Sequence, residues 1–344
     1  MRALALLAPS VMLSSLLGLA ACGGGGGTYG GGGGGGGGYG MPTSAAASKL
    51  FAADAGYPGI GSLVNPDPAP GLLAVDRFFY GGGITTSVKS LALDTISDRL
   101  YVGNGMTILV YNGASMASGI PSPARTITGL LDAGSLFIDA ANNRLYVGAA
   151  PGVKVFDPAN MANGPATPSR SLTGDFGTAY QINGVTVDAG KDILYVSNTT
   201  LSPSPSGHIS LFTASTADGT KTPNAIITPM SGMNNLSVAG IALDSTPATG
   251  DRLYVAGPSS TVMVFDQVST LSGAQAPTRT ITLPAQIRSV AIDPVGDRLY
   301  AVELNGAAIY IVEGAHTASG VPSIVKAITP PYGNFTGVAV NPNP

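Results

Sequence analysis

The chain has 344 residues, of which 10% are charged, with a net charge of −3 and a single cysteine. An ordinary soluble domain carries about 25% charged residues, so this surface must be built from Ser, Thr, Asn and Gly. The absence of a basic cluster argues against nucleic acid as a partner, and one thiol excludes an intramolecular disulfide.

The first 22 residues, MRALALLAPSVMLSSLLGLAAC, hold one basic residue (Arg2), an apolar stretch and small residues before Cys22. The apolar run is short and broken by Pro9 and serines, which predicts a secretory signal over residues 1–21 and not a membrane span. Leu19-Ala20-Ala21-Cys22 resembles the lipobox of bacterial lipoproteins. The resemblance implies cleavage before Cys22, acylation of that residue, and a lipid anchor in the envelope. Gly23, standing where inner-membrane retention usually wants Asp, implies the outer membrane, facing either periplasm or surface. An ordinary cleaved signal with an incidental cysteine is the alternative. Residues 23–40 are glycine except for Thr28, Tyr29 and Tyr39. Such a tract cannot form a core and reads as a tether with a reach of roughly 25 Å. It matches a nucleotide-loop pattern trivially, but no strand precedes it and no helix follows. Residues 22–47 are therefore read as lipidated cysteine plus tether, and the folded body as 48–344.

The body repeats one phrase: SLALDTISDRLYVG, LFIDAANNRLYVG, VTVDAGKDILYVS, IALDSTPATGDRLYVA and VAIDPVGDRLYAV. Its first Asp falls at Asp94, Asp139, Asp188, Asp244 and Asp293, and a partial sixth copy ends at Asn341. Spacings near fifty residues mark a repeat architecture. Within each unit an alternating run (a) is followed by an Asp/Asn/Gly turn and the LYV run (b). A third run (c) follows at 108–112, 153–157, 209–213, 262–266 and 309–313. After a Gly/Pro-rich connection comes a fourth (d) at 125–128, 170–173, 225–228, 279–282 and 326–329. Four short strands without helix predict a propeller blade. In chain order, KLFAAD at 49–54 supplies a strand b, LLAVD at 72–76 a strand c and GGIT at 82–85 a strand d, and FTGVAVN at 335–341 the missing strand a. The expectation is an all-β, six-bladed β-propeller whose ring is closed by N-terminal strands b–d and C-terminal strand a, removing exposed sheet edges. Residues 55–71 fit either a long b–c excursion or a different strand c. A monomer is expected.

Residues fixed by the repeat are subtracted before chemistry is sought. The Asp, Asn and Arg residues around the a–b turns read as turn residues, and Tyr101, Tyr146, Tyr195, Tyr254 and Tyr300 as packing between blades. His208 and His316 fall in loops on opposite faces, which gives no zinc site or nucleophilic triad. Two sets of positions vary while their surroundings repeat. Five residues before the repeat Asp stand Lys89, Gly134, Asn183, Ala239, Arg288 and Thr336; at the end of strand b stand Asp54, Asn104, Ala149, Asn198, Gly257 and Glu303. Both sets are placed at an axial mouth, although variation also suits any solvated loop. The candidate ligand-binding residues are Lys89, Asn183, Arg288, Glu303, Asp54, Asn104 and Asn198. Two cations near the axis favour a carboxylate or phosphate.

The LYV-N and RTI strings resemble YVTN and NHL-type propeller repeats over residues 48–341. INGVTVD at 182–188 resembles the Asn-Gly strand start of gluconolactonase/regucalcin-type propellers, with Asn183 as the matching metal ligand. The equivalent starts bring Lys89, Gly134, Ala239, Arg288 and Thr336, which cannot replace the carboxylates of a calcium site. No catalytic residue, metal or cofactor is assigned. The expected function is a lipid-anchored, non-catalytic binding or scaffold module for a protein, peptide or envelope glycan. The alternative is a metal-assisted, lactonase-like hydrolase, which needs Asp54 and Glu303 brought together near Asn104 or Asn198.

Overall fold

The computed structural model describes residues 49–64, 76–149, 151–174, 180–200, 206–230, 240–246, 250–256, 260–322, 324–329 and 334–341. The signal, Cys22, the tether, Ala239 and Gly257 lie outside the described residues. The body is a six-bladed β-propeller of antiparallel four-stranded blades. In order a–d, blade I is Phe335–Asn341, Lys49–Asp54, Gly59–Val64 and Arg77–Tyr80. Blade II is Val88–Asp94, Arg99–Asn104, Thr107–Asn112 and Arg125–Ile127. Blade III is Ser135–Asp139, Arg144–Ala149, Gly152–Phe156 and Arg170–Leu172. Blade IV is Tyr180–Asp188, Ile193–Thr200, Ser206–Thr213 and Ala225–Pro229. Blade V is Ile241–Asp244, Arg252–Ala256, Thr261–Asp266 and Arg279–Thr282. Blade VI is Ile287–Asp293, Arg298–Glu303, Ile309–Glu313 and Ile324–Ile328. Strand a of every blade packs on strand a of both neighbours, so the ring closes around an axis.

Closure is as expected, and of the two readings open for residues 55–71 the structure takes a different strand c; residues 72–75 lie outside the described residues. Strand c is Gly59–Val64 and strand d is Arg77–Tyr80, in place of 72–76 and 82–85. The reason is local. The Asp54 carboxylate accepts the backbone N–H groups of Gly56 and Tyr57 at 2.8 and 3.3 Å, folding the chain straight back into a hairpin. Gly81, Gly82 and Gly83 hold φ of 65°, 54° and 96°, which ends strand d before the GGIT run. Glycine supplies these left-handed angles without steric cost.

The core is not central. It consists of six apolar clusters, each formed between two adjacent blades. Strand b is buried on both faces, which explains its unbroken LYV run. In blade II, Leu100 and Val102 pack towards blade I, while Tyr101 packs towards blade III.

The repeated polar residues hold turns and join blades. Oδ1 of Asp94, Asp139, Asp188, Asp244 and Asp293 accepts backbone N–H groups two or three residues on. After strand c comes a single turn of 3-10 helix in blades II to V (Ala114–Met116, Ala159–Met161, Ala214–Thr216, Val268–Thr270). A left-handed glycine then bridges, parallel, onto strand d of the preceding blade: Gly119 on Phe79, Gly164 on Ile127, Gly219 on Leu172, Gly320 on Ile281. The arginine that opens strand d donates to carbonyls of the same neighbouring turn, as Arg77 does to Met116 at 3.0 Å and Arg125 does to Asn160. Arg170 reaches Ala214 at 2.5 Å and Arg279 reaches Ala318 at 3.2 Å. Blade IV has Ala225 at that place, and there the bridge widens into a three-residue parallel ladder with Gly273–Gln275.

Candidate functional site

One end of the axis is a cavity of about 430 Å³ at the starts of the a strands. Lys89, Gly134, Asn183, Arg288 and Thr336 all line it. The structure thus gathers every described member of the first variable set. Four of them share a backbone device that the sequence did not announce. In blade II, Val88 pairs with Asn104 and Ser90 with Gly103, leaving Lys89 as the extra residue of a β-bulge. The same skip occurs at Asn183, between Ile182–Asn198 and Gly184–Ser197. It recurs at Arg288, between Ile287–Glu303 and Ser289–Val302. In blade I, Phe335 pairs with Asp54 and Gly337 with Ala53, so Thr336 is skipped. A bulged residue leaves the ladder and its side chain is re-aimed. Here the four lie around the mouth.

The next position also carries a signal that pattern reading missed. One residue beyond the bulge site the six blades read Ser90, Ser135, Gly184, Gly240, Ser289 and Gly337. Adjacent a strands converge there: a Cβ on Gly184 would lie 2.9 Å from Ile241 Cγ1, and one on Gly240 would lie 3.0 Å from Ser289 Cα. Only small residues fit.

The described members of the second variable set are not among the residues that line the mouth, and this corrects their placement. Asp54, Asn104, Asn198 and Glu303 are the residues paired beside the bulges on strand b. Each is engaged locally. Asp54 closes its hairpin, as above. Asn104 accepts from Thr85 N and Oγ1 at 3.0 and 2.7 Å and donates Nδ2 to Gly83 O at 2.9 Å, tying down the d–a connection. Asn198, fully buried, donates to Ser210 Oγ at 3.3 Å. Glu303 accepts the Tyr310 hydroxyl at 3.3 Å. Asp54 and Glu303 stand on the adjacent blades I and VI, each bonded within its own blade. Among the described residues, no three of His, Cys, Asp and Glu are placed to hold a metal ion.

Electrostatics divide the mouth unevenly. Lys89 Nζ lies 3.0 Å from both oxygens of Asp132. Asn183 donates Nδ2 to Thr199 Oγ1 at 2.8 Å. Arg288 is half-buried and makes no ion pair or side-chain hydrogen bond among the described residues; burial pulls its pKa below the usual arginine value. Thr336 Oγ1 is buried and has no partner among them either. The cavity floor is a ring of six apolar side chains at one repeat position: Leu91, Leu136, Val185, Ile241, Val290 and Val338. The same six roof a second cavity of about 190 Å³ further along the axis.

The two histidines stand apart from the mouth. His208 lies within strand c of blade IV, opposite Asn198, and burial lowers its pKa. His316 follows strand c of blade VI, with Nε2 3.0 Å from Asp244 of blade V and Nδ1 3.0 Å from Asp297. It joins two blades at the a–b turns.

Fold and site together define a closed six-bladed propeller with a small, one-sidedly cationic axial cavity. No protein-family model matches the chain, and no curated protein sequence matches it. Among solved structures it is similar to a chain in the crystal structure of a nidogen/laminin complex, with a TM-score of 0.53 and 12% identity. The match covers 86% of this chain and 98% of the other. At that identity the likeness shows the fold alone.

Proposed function

We propose that this protein is a non-catalytic binding module that takes its ligand at the axial mouth. The observation that carries the reading is the alignment of four β-bulges, at Lys89, Asn183, Arg288 and Thr336, around one cavity. A bulge interrupts ladder hydrogen bonds and is kept where a re-aimed side chain is useful. The four residues differ in chemistry while the backbone device repeats, which suits a surface that recognises something asymmetric. The partner class is a protein, a peptide or an envelope glycan. The similarity to a propeller solved within a nidogen/laminin complex is consistent with such a role.

In the same reading, Cys22 carries the lipid anchor, residues 22–47 hold the propeller off the membrane, and the protein resides at the cell envelope, in the outer membrane. Cys22→Ser moves the chain from the membrane fraction to the soluble fraction if this is so; retention in the membrane fraction contradicts the anchor. The binding role is tested by native mass spectrometry of the full chain recovered from envelope extracts. Asn183→Trp, which fills the mouth, abolishes a bound mass that an exposed strand-d substitution such as Thr228→Trp leaves in place. A bound mass carried equally by both variants, or by neither variant nor the parent, contradicts the reading.

A further inference from the structure

Among the described residues, three charged side chains line the mouth: Lys89, Asp132 and Arg288. Lys89 and Asp132 neutralise one another through two 3.0 Å contacts. One cation is left, and Arg288 meets no acceptor among the described residues. A guanidinium drawn partly out of water without a partner is unfavourable, and its burial lowers its pKa. The buried hydroxyl of Thr336, also without a partner among the described residues, lies on blade I, the neighbour of Arg288's blade VI. Two groups with hydrogen-bonding capacity unspent thus stand on adjacent blades beside one cavity, and of the two the guanidinium is the accessible one. Two residues further along the a strands, roughly 7 Å deeper at about 3.3 Å per residue, lies the apolar ring.

We propose that the axial mouth binds a monocarboxylate bearing an apolar group beside the carboxylate, with the carboxylate on Arg288 and the apolar group on the floor formed by Val290, Val338 and their four counterparts. This deepens the binding reading above and rests on it. A planar guanidinium matches a carboxylate with two parallel hydrogen bonds. A phosphate dianion fits worse, because its second charge would find no free cation and would face Asp132. Size sets a further limit: about 430 Å³ lies within the range of roughly 300–1,000 Å³ for small-ligand sites, room for one residue-sized unit. Across the ring from Thr336, Asn183 spends its amide N–H on Thr199, and its Oδ1 takes no donor among the described residues. It can therefore accept the N–H of an acylated amino acid. Such chemistry comes from two sources, a free N-acyl amino acid or the C-terminal residue of a polypeptide.

The test is calorimetric titration of the full chain with N-acetyl-L-leucine, its primary amide, an acetylated heptapeptide ending in leucine with a free or an amidated terminus, and inorganic phosphate. The acid binds and its amide binds at least tenfold more weakly. Arg288→Met lowers acid affinity at least tenfold, while its melting temperature shows the fold retained. Binding of the small acid alone assigns a free metabolite, and binding of the free-terminus heptapeptide assigns a polypeptide end; either supports the proposal. Equal affinity for acid and amide, tighter binding of phosphate, indifference to Arg288→Met, or no binding of either acid overturns it. A bound mass still displaced by Asn183→Trp in that event leaves the mouth as a binding site for other chemistry. Loss of both removes the site altogether.

Discussion

The second Asp of the repeat works hardest for its size. Asp98 sits at φ 47°, and its carboxylate accepts the Ser115 N–H at 2.9 Å and the Ser115 hydroxyl at 2.7 Å, capping the turn that follows strand c. Asp192 with Ser215 and Asp251 with Ser269 repeat the arrangement. Blade III uses Asn143 at φ 53°, accepting from Asn160 N at 3.1 Å. Asp98→Ala loses the cap and places a Cβ-bearing residue without a local hydrogen bond at positive φ, a cost of about 2 kcal/mol. Asp98→Asn, already found in blade III, costs well under half of that. Urea titration of the two variants measures the difference, and equal losses would contradict the role of the left-handed turn. Charge acts at this scale too. Burial pushes the Asp266 carboxyl up, but Arg252 and Arg279, at 2.5 and 3.3 Å, outweigh it and hold its pKa below the ordinary value. A depressed carboxyl contributes stability above its unfolded pKa of about 3.9, and that contribution is lost as pH falls through the folded value. Asp266→Asn therefore flattens the acid limb of the stability curve below about pH 4 and changes its slope little above pH 5. An unchanged acid limb would count against the pair.

At the scale of elements, blades adhere through apolar wedges and through the turn that each lends to its predecessor. Arg170 joins blades III and IV by donating to Ala214 O. A charged hydrogen bond of this kind contributes about 1.5–3 kcal/mol, so Arg170→Ala lowers unfolding free energy by about 1.5 kcal/mol. The widened ladder at Ala225 makes the junction of blades IV and V independent of an arginine. Introducing Ala225→Arg should accordingly add less than 0.5 kcal/mol, on the order of an ordinary surface change. Much of this level is legible in the sequence, because alternation, the LYV run and the turn residues recur five times and errors in one copy are corrected by the others. What was not legible is what occurs once or lives in the backbone. Blade I is the only unit split between termini, so no second copy disciplined the choice of strand c, and a hairpin closed by Asp54 was missed. The bulges change neither residue type nor periodicity enough to be read. Lys89, Asn183 and Arg288, three of the candidates, do line one cavity, as their shared place before the repeat Asp implied, and Thr336, which was not a candidate, joins them. The set Asp54, Asn104, Asn198 and Glu303 varied for another reason: each fits the particular loop beside it.

The propeller is a ring, and a ring fails at its seam. Strand Phe335–Asn341 carries the closing ladder with Lys49–Asp54, and Phe335 and Val338 are buried between blades VI and I. Deleting residues 335–344 opens that ladder, exposes a strand edge and yields an aggregating chain in sedimentation; a soluble monomer that unfolds cooperatively would refute the closure. The ring also separates stability from recognition. Its cohesion comes from the wedges and turns between blades; at the mouth Lys89 holds Asp132 and Asn183 holds Thr199, while the side chains of Arg288 and Thr336 bond nothing among the described residues. Arg288 is the sharpest case, a desolvated cation with no acceptor among the described residues. The decisive measurement is denaturant unfolding of Arg288→Leu in the full chain, without ligand. Its stability is expected to equal or exceed that of the parent, because an uncompensated charge is removed. A loss of about 2 kcal/mol or more, the size expected when a structural polar contact is broken, would show that the guanidinium serves the fold and would contradict the mouth as a site kept for binding.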